Sequence, residues 1–270
     1  AEYQKSLAEY QKSLVIDPNY VTAKNNLQEA QRLRAIKTNP PPAVEEAKYI
    51  PSEKDEPLVK VLRSTVRIIA IASAEGNIIG SGWVVKRQGD VVWVVTNRHV
   101  ISDRRSKKLA SKIEVEFYSQ LSDIQRPRYR ATIVQTTDAD DLTLDLAVLK
   151  VEKVPADIQP LTLHTGYVRL NTRVRIIGHP YTVEIPWNSA PGEVMNYSDQ
   201  SSYFPLNAFV AEGNSGGPVI DEQQQIIGVM VGIRRREDVA DAFAPNQSSP
   251  DLSGITPATG DVGIAYRIDV

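Results

Sequence analysis

The chain has 270 residues, 41% of them hydrophobic, a formal net charge of −2 and no cysteine. That supplies enough apolar material for one large domain or two smaller ones, while the near-neutral charge argues against nucleic acid as the main partner. The absence of cysteine excludes a disulfide framework and a thiolate metal site, and the lack of any run of about 18 apolar residues leaves no candidate for a membrane-spanning helix.

The first stretch reads as helical. Ala1 to Leu7 recurs unchanged as Ala8 to Leu14, a seven-residue spacing that keeps apolar residues on one helix face. Ile16-Asp17-Pro18 stops that helix, and a second pattern follows with Tyr20, Ala23, Leu27, Ala30 and Leu33 until Thr38-Asn39-Pro40-Pro41-Pro42 breaks it. Tyr10, Ser13, Leu14, Pro18, Ala23, Leu27 and Ala30 resemble the second helix of a tetratricopeptide repeat and the start of the next, which implies a surface for a protein partner. One and a half repeats are too few for a stable solenoid, because each unit buries its apolar face on its neighbours. Two readings therefore stand, a helical hairpin packed on the rest of the chain or part of a peptide-binding array. Residues 38–57, with five prolines and the charged run Glu53-Lys54-Asp55-Glu56, read as a solvated linker.

From Leu58 the pattern changes to short strands. Val66–Ile71, Gly82–Val85, Val91–Val95, Lys112–Phe117, Tyr129–Gln135, Leu146–Val151, Arg173–Ile177, Gly192–Met195, Ile226–Val231 and Gly263–Ile268 are β-rich runs punctuated by the turn signals Gly76-Asn77, Gly80-Ser81-Gly82 and Gly89-Asp90. About a dozen short strands with few helices suit a mainly β, antiparallel Greek-key barrel architecture.

Chemistry concentrates in Phe209-Val210-Ala211-Glu212-Gly213-Asn214-Ser215-Gly216-Gly217-Pro218. Ser215 sits among three glycines, where the backbone turns sharply and a substrate can approach closely. A serine hydroxyl near pH 7 needs a base within hydrogen-bond reach and a group to orient that base. His99, ending Thr96-Asn97-Arg98-His99, and Asp145, in Leu144-Asp145-Leu146-Ala147-Val148-Leu149, supply these in the chain order His, Asp, Ser. Asp138, Asp140 and Asp141 are rivals, but only Asp145 leads directly into an apolar strand. His164 and His179 have no comparable context and read as loop or core residues. There is no His-Glu-x-x-His helix, so neither a catalytic metal nor any other cofactor is expected.

The three segments around His99, Asp145 and Ser215 resemble the catalytic blocks of trypsin-like serine proteases, most closely the bacterial HtrA-type branch, which also carries Asn before the serine. The resemblance spans about Leu58 to Val270 and implies two six-stranded barrels, roughly 58–155 and 156–270, with the cleft between them. It implies a serine endopeptidase with His99, Asp145 and Ser215 as catalytic residues, the N–H groups of Gly213 and Ser215 as oxyanion hole, and protein or peptide substrates. Phe209 would lie at the base of the substrate pocket and Val210 and Ile233 would narrow it. Without an acidic residue there, cleavage after small or aliphatic residues is expected rather than after Lys or Arg. The alternative is a non-catalytic binding module on the same scaffold. Residues 234–260 read as a surface insertion beside the pocket. Neutral Asn214 argues against activation by cleavage, and the end at Val270 leaves no room for the PDZ domain usual in that branch. Because the chain starts at Ala1, the lack of a leader is not a cytosolic address, and a bacterial periplasmic or secreted location is preferred.

Overall fold

A computed structural model of the chain describes residues 2–18, 20–41, 44–72, 76–103, 106–140, 144–180, 186–196, 201–234 and 262–268. Most of the surface insertion expected over 234–260 lies outside these residues.

Two helices come first, α1 (Glu2–Ile16) and α2 (Val21–Thr38), and a short α3 (Val59–Ser64) leads into the strands. The strands are β1 (Thr65–Ala72), β2 (Gly76–Gln88), β3 (Val91–Thr96), β4 (Lys112–Phe117), β5 (Tyr129–Thr136), β6 (Ala147–Val151), β7 (Arg173–Gly178), β8 (Asn188–Val194), β9 (Tyr203–Ala208), β10 (Pro218–Ile220), β11 (Ile226–Arg234) and β12 (Val262–Arg267). They close into two antiparallel barrels, in the order β1-β2-β3-β6-β5-β4 and β10-β11-β12-β9-β8-β7. Closure removes the exposed sheet edges that would otherwise recruit other chains.

Each barrel has its own core, as the alternation of strand side chains requires. Val66, Ile68, Val84, Val94, Val115 and Leu149 fill the first, and Val174, Ile176, Val194, Phe204, Leu206 and Val219 fill the second. A third cluster, with Leu62, Trp83, Ile177, Trp187, Ile220 and Ile226, joins them. The indole N–H of Trp187 crosses the seam to donate to the carbonyl of Thr65 on β1 at 2.7 Å.

The helical hairpin is docked on the first barrel through α2. Ala23 and Ala30 are buried, and Asn25 and Asn26 make a reciprocal pair of bonds to the backbone of Asn77 at the start of β2, at 3.2 and 2.8 Å. Behind them, Arg128 forks onto both carboxylate oxygens of Glu29 at 2.8 Å while its Nε donates to the fully buried Glu116 at 2.8 Å. The segment between helices and barrel is also anchored, because Tyr49 accepts from Gln120 at 2.8 Å and Glu46 pairs with buried Arg63 at 2.8 Å. Among the described residues no helix is long and apolar enough to cross a membrane.

Candidate active site

The pairing of β3 with β6 explains how two residues far apart in sequence meet. The strands run antiparallel with Thr96 opposite Ala147, so the chain just beyond β3 and the chain just before β6 emerge at the same barrel mouth. A 3₁₀ turn, Arg98–Ile101, follows β3 and carries His99, and Asp145 stands two residues ahead of β6. One carboxylate oxygen of Asp145 accepts the backbone N–H of His99 at 2.9 Å, and the other meets His99 Nδ1. The backbone of Asp145 is held as well, its carbonyl accepting from the Asn97 amide at 2.8 Å and its N–H donating to the Tyr266 hydroxyl at 2.9 Å. Burial pushes the Asp145 carboxyl up, but the His99 charge and the hydrogen bonds from His99 and Arg98 outweigh it and hold the group below the usual carboxylate range. The rivals differ, since Asp138 and Asp140 are exposed and Asp141 lies outside the described residues.

Ser215 comes from the other barrel, in the loop between β9 and β10. The loop needs glycine at two places for a physical reason. Gly213 has φ +97, and a Cβ there would stand 2.0 Å from the carbonyl oxygen of His179. Gly216 has φ +82, and a Cβ there would stand 2.2 Å from the carbonyl oxygen of Ser81. Gly216 N–H donates to the carbonyl of Met230 at 2.7 Å and Gly217 N–H to that of Asn214 at 2.9 Å. Among the described residues, the N–H groups of Gly213 and Ser215 donate to no protein acceptor. The Ser215 hydroxyl rests on the carbonyl of Val231 in β11 at 3.0 Å.

The residues expected to shape the pocket take different places. Phe209 is 44% exposed, whereas Val210 is buried with Met230 in the second core. A Cβ at Gly263 would stand 3.3 Å from Met230 Cε and 3.4 Å from both Val210 methyls, so these two side chains fill the space above β12. The backbone of Ile233 lies in β11, and its side chain falls outside the described residues.

Several participants left no readable signal in the sequence. Met230, Gly263, Tyr266 and Ser81 act through tertiary neighbours that only strand registers reveal. His179 is buried behind Gly213, its Nδ1 accepts the backbone N–H of Trp187 at 3.1 Å, and burial together with the charges of Arg67 and Arg126 depresses its pKa well below the ordinary value. His164 pairs with Asp221 at 2.8 Å, away from Ser215 in the β-turn that follows β10. Among the described residues no group of three or more metal-ligating side chains occurs.

Two closed Greek-key barrels, with a His–Asp pair from one and a glycine-bound serine from the other, define the trypsin-like class. The family model for the trypsin-like peptidase domain matches residues 80–229, and the chain belongs to that family. Its homologues include an HtrA-like serine protease of Staphylococcus epidermidis, 26% identical over 169 residues that make up 57% of this chain and 26% of that protein. The chain thus spans about a quarter of the length of that curated relative. Among solved structures, a serine endoprotease from Yersinia pestis aligns at TM-score 0.55 and 20% identity, over 82% of this chain and 64% of that one. A Mycobacterium tuberculosis protease in its active form aligns at TM-score 0.53 and 20% identity, covering 85% and 87%.

Proposed function

We propose that the chain is a serine endopeptidase acting through an acyl-enzyme. The observation that carries this reading is the double engagement of His99 by Asp145, which binds both its backbone N–H and its Nδ1. With Nδ1 held by the carboxylate, the imidazole presents Nε2 as the base. The Ser215 hydroxyl donates to the carbonyl of Val231, and attack requires that bond to be exchanged for one to His99. His99 then accepts the hydroxyl proton as Ser215 adds to the scissile carbonyl, the N–H groups of Gly213 and Ser215 receive the oxyanion, and the proton passes to the leaving amine. Asp145 stays ionised and stabilises the imidazolium.

The substrate preference proposed is for small or aliphatic side chains before the cut. Val210 and Met230 crowd the position of Gly263, and neither Phe209 nor Val210 offers a carboxylate to a basic side chain. Peptides with Ala or Val at that position should be cleaved faster than the Lys or Arg analogues. Ser215→Ala should abolish hydrolysis without lowering the melting temperature, because the lost hydroxyl carries a single hydrogen bond. Casein hydrolysis by Ser215→Ala at the wild-type rate would show that the nucleophile lies elsewhere. Substrates identified in the extracytoplasmic space would agree with the location preferred above.

A further inference from the structure

Ser81 lies on β2 of the first barrel, outside the three catalytic segments, and is fully buried. It nevertheless makes more contacts with the nucleophile loop than any feature of its own strand requires. Its backbone N–H donates to the carbonyl of Ser215 at 2.8 Å. Its hydroxyl donates to the carbonyl of Gly213 at 2.7 Å and accepts the backbone N–H of His179 at 3.2 Å. Its own carbonyl is held by the Thr96 hydroxyl at 2.7 Å, on the strand that leads to His99. A Cβ on Gly216 would collide with that same carbonyl.

From this convergence we infer that Ser81 is a positioning residue that aligns the oxyanion hole across the barrel seam. The inference rests on the reading of Ser215 as nucleophile. Gly213 and Ser215 are the two residues whose N–H groups would receive the oxyanion, and Ser81 grips both through their carbonyls. The Ser81 hydroxyl anchors the planar peptide unit that follows Gly213 and the Ser81 N–H anchors the one that follows Ser215, so each N–H can swing only about its own residue's φ and ψ from a fixed end. At Gly213 the required φ of +97 is one that glycine alone can supply beside the His179 carbonyl. The Ser81 hydroxyl is satisfied on both sides, donating once and accepting once, so it has no slack to turn. Because Ser81 belongs to the barrel that carries His99 and Asp145, the oxyanion donors are registered to the base, not only to their own barrel. The Ser81 side chain touches neither substrate nor reacting atoms, so its effect appears in the transition state and not in substrate binding.

The test compares wild type, Ser81→Ala and Ser81→Cys, the last keeping a weak donor at the same position. Active sites are counted from the end point of fluorophosphonate labelling, so every rate refers to folded, competent sites. Removing one oxyanion donor outright typically lowers kcat by 10²–10³, and misaligning a donor costs less, so Ser81→Ala should lose about 10- to 100-fold in per-site kcat. KM should stay within about twofold, Ser81→Cys should fall between the two, and the inhibition constant of a peptidyl boronate should rise by the same factor as kcat falls. A purely structural role would lower the number of labelled sites and leave the rate per site unchanged, which overturns the inference. If Ser81→Ala yields no folded protein, a wild-type per-site rate in Ser81→Cys overturns it and a reduced one supports it. Wild type that fails to label at all would instead refute the nucleophile assignment, a separate result that removes the ground beneath the inference.

Discussion

At the residue scale the division of labour between Asp145 and His99 can be tested without disturbing the fold. Asp145→Asn keeps the shape and an acceptor oxygen but presents an amide N–H where His99 Nδ1 needs an acceptor for its proton, so the ring is pushed to the tautomer with Nε2 protonated. In the chymotrypsin-type template that change costs about 10⁴ in kcat, and a loss of that order is expected here, measured as kcat on an aliphatic peptide. Near-normal turnover would show that Asp145 does not orient the base. The pair was legible in the sequence because each residue sits beside an apolar strand and the chain order is distinctive. Ser81 was not: Gly80-Ser81-Gly82 reads as a turn, yet it lies inside β2 with Ser81 opposite Arg67, because small residues there let the strand pass close to the nucleophile loop, and nothing in the spacing announces a partner 134 positions away at Ser215. His179 reads as a loop or core residue and is buried, but its neighbours, the Trp187 ring and the charges of Arg67 and Arg126 from the other barrel, have no signature in the sequence.

At the scale of elements, ten of the twelve strands follow the β-rich runs of the sequence, and the two that do not have physical reasons. β9 contains Pro205, which reads as a strand breaker, yet its pairing with β8 ends at Val194 opposite Leu206, one residue short of the proline. β10 is only three residues long and begins at Pro218, too short to show alternation. The two helices follow from their spacing and the docked hairpin is one of the two readings the sequence leaves open, but the partners of α2 are not legible there. Its polar face carries Glu29 to Arg128, Arg32 Nε to the carbonyl of Asp123 at 3.0 Å, and Gln28 to the Asp123 carboxylate at 3.3 Å. Arg128 is held strongly protonated by Glu29 and Glu116 against the cost of burial. Removing one partner from such a network leaves a charge uncompensated, and for a buried pair costs about 3–5 kcal/mol; Glu29 and Arg128 keep some exposure, so about 1–3 kcal/mol is the appropriate expectation after screening. Glu29→Ala should therefore release the hairpin, seen as faster proteolysis within residues 2–38 while the barrels stay resistant. Equal protease sensitivity of wild type and Glu29→Ala would show that the network does not hold the hairpin.

For the whole molecule, the barrels must stay in register because the proposed base and nucleophile lie on opposite sides of the seam. His179 stands at that seam, with Arg67 and Arg126 of the first barrel acting on it and its ring edge-on to Trp187 at 4.7 Å. The two arginines are in turn neutralised by Glu116 and Asp123, at 3.4 Å from Arg67 to Glu116 and 2.7 Å from Arg126 to Asp123. Among the described residues no carboxylate is bonded to the His179 ring, so its protonation would add a cation to a buried place beside two arginines. Its pKa is therefore lowered on folding, and the unfolded chain binds the proton first as pH falls. The sign follows: the stability associated with neutral His179 is complete above the ordinary histidine pKa of about 6.5 and is lost below it, by about 1.4 kcal/mol per pH unit. Asp145, also depressed, adds a second loss at lower pH, below the ordinary carboxylate value of about 3.9, as its carboxylate is titrated. Thermal unfolding between pH 8 and pH 5, followed by tryptophan fluorescence, should show a falling melting temperature below about pH 6.5. In His179→Asn the side-chain oxygen can still accept from the Trp187 N–H but cannot take up the proton, so most of that slope should vanish. A variant that loses stability on acidification as steeply as wild type would assign the slope to another group and leave the seam insensitive to pH.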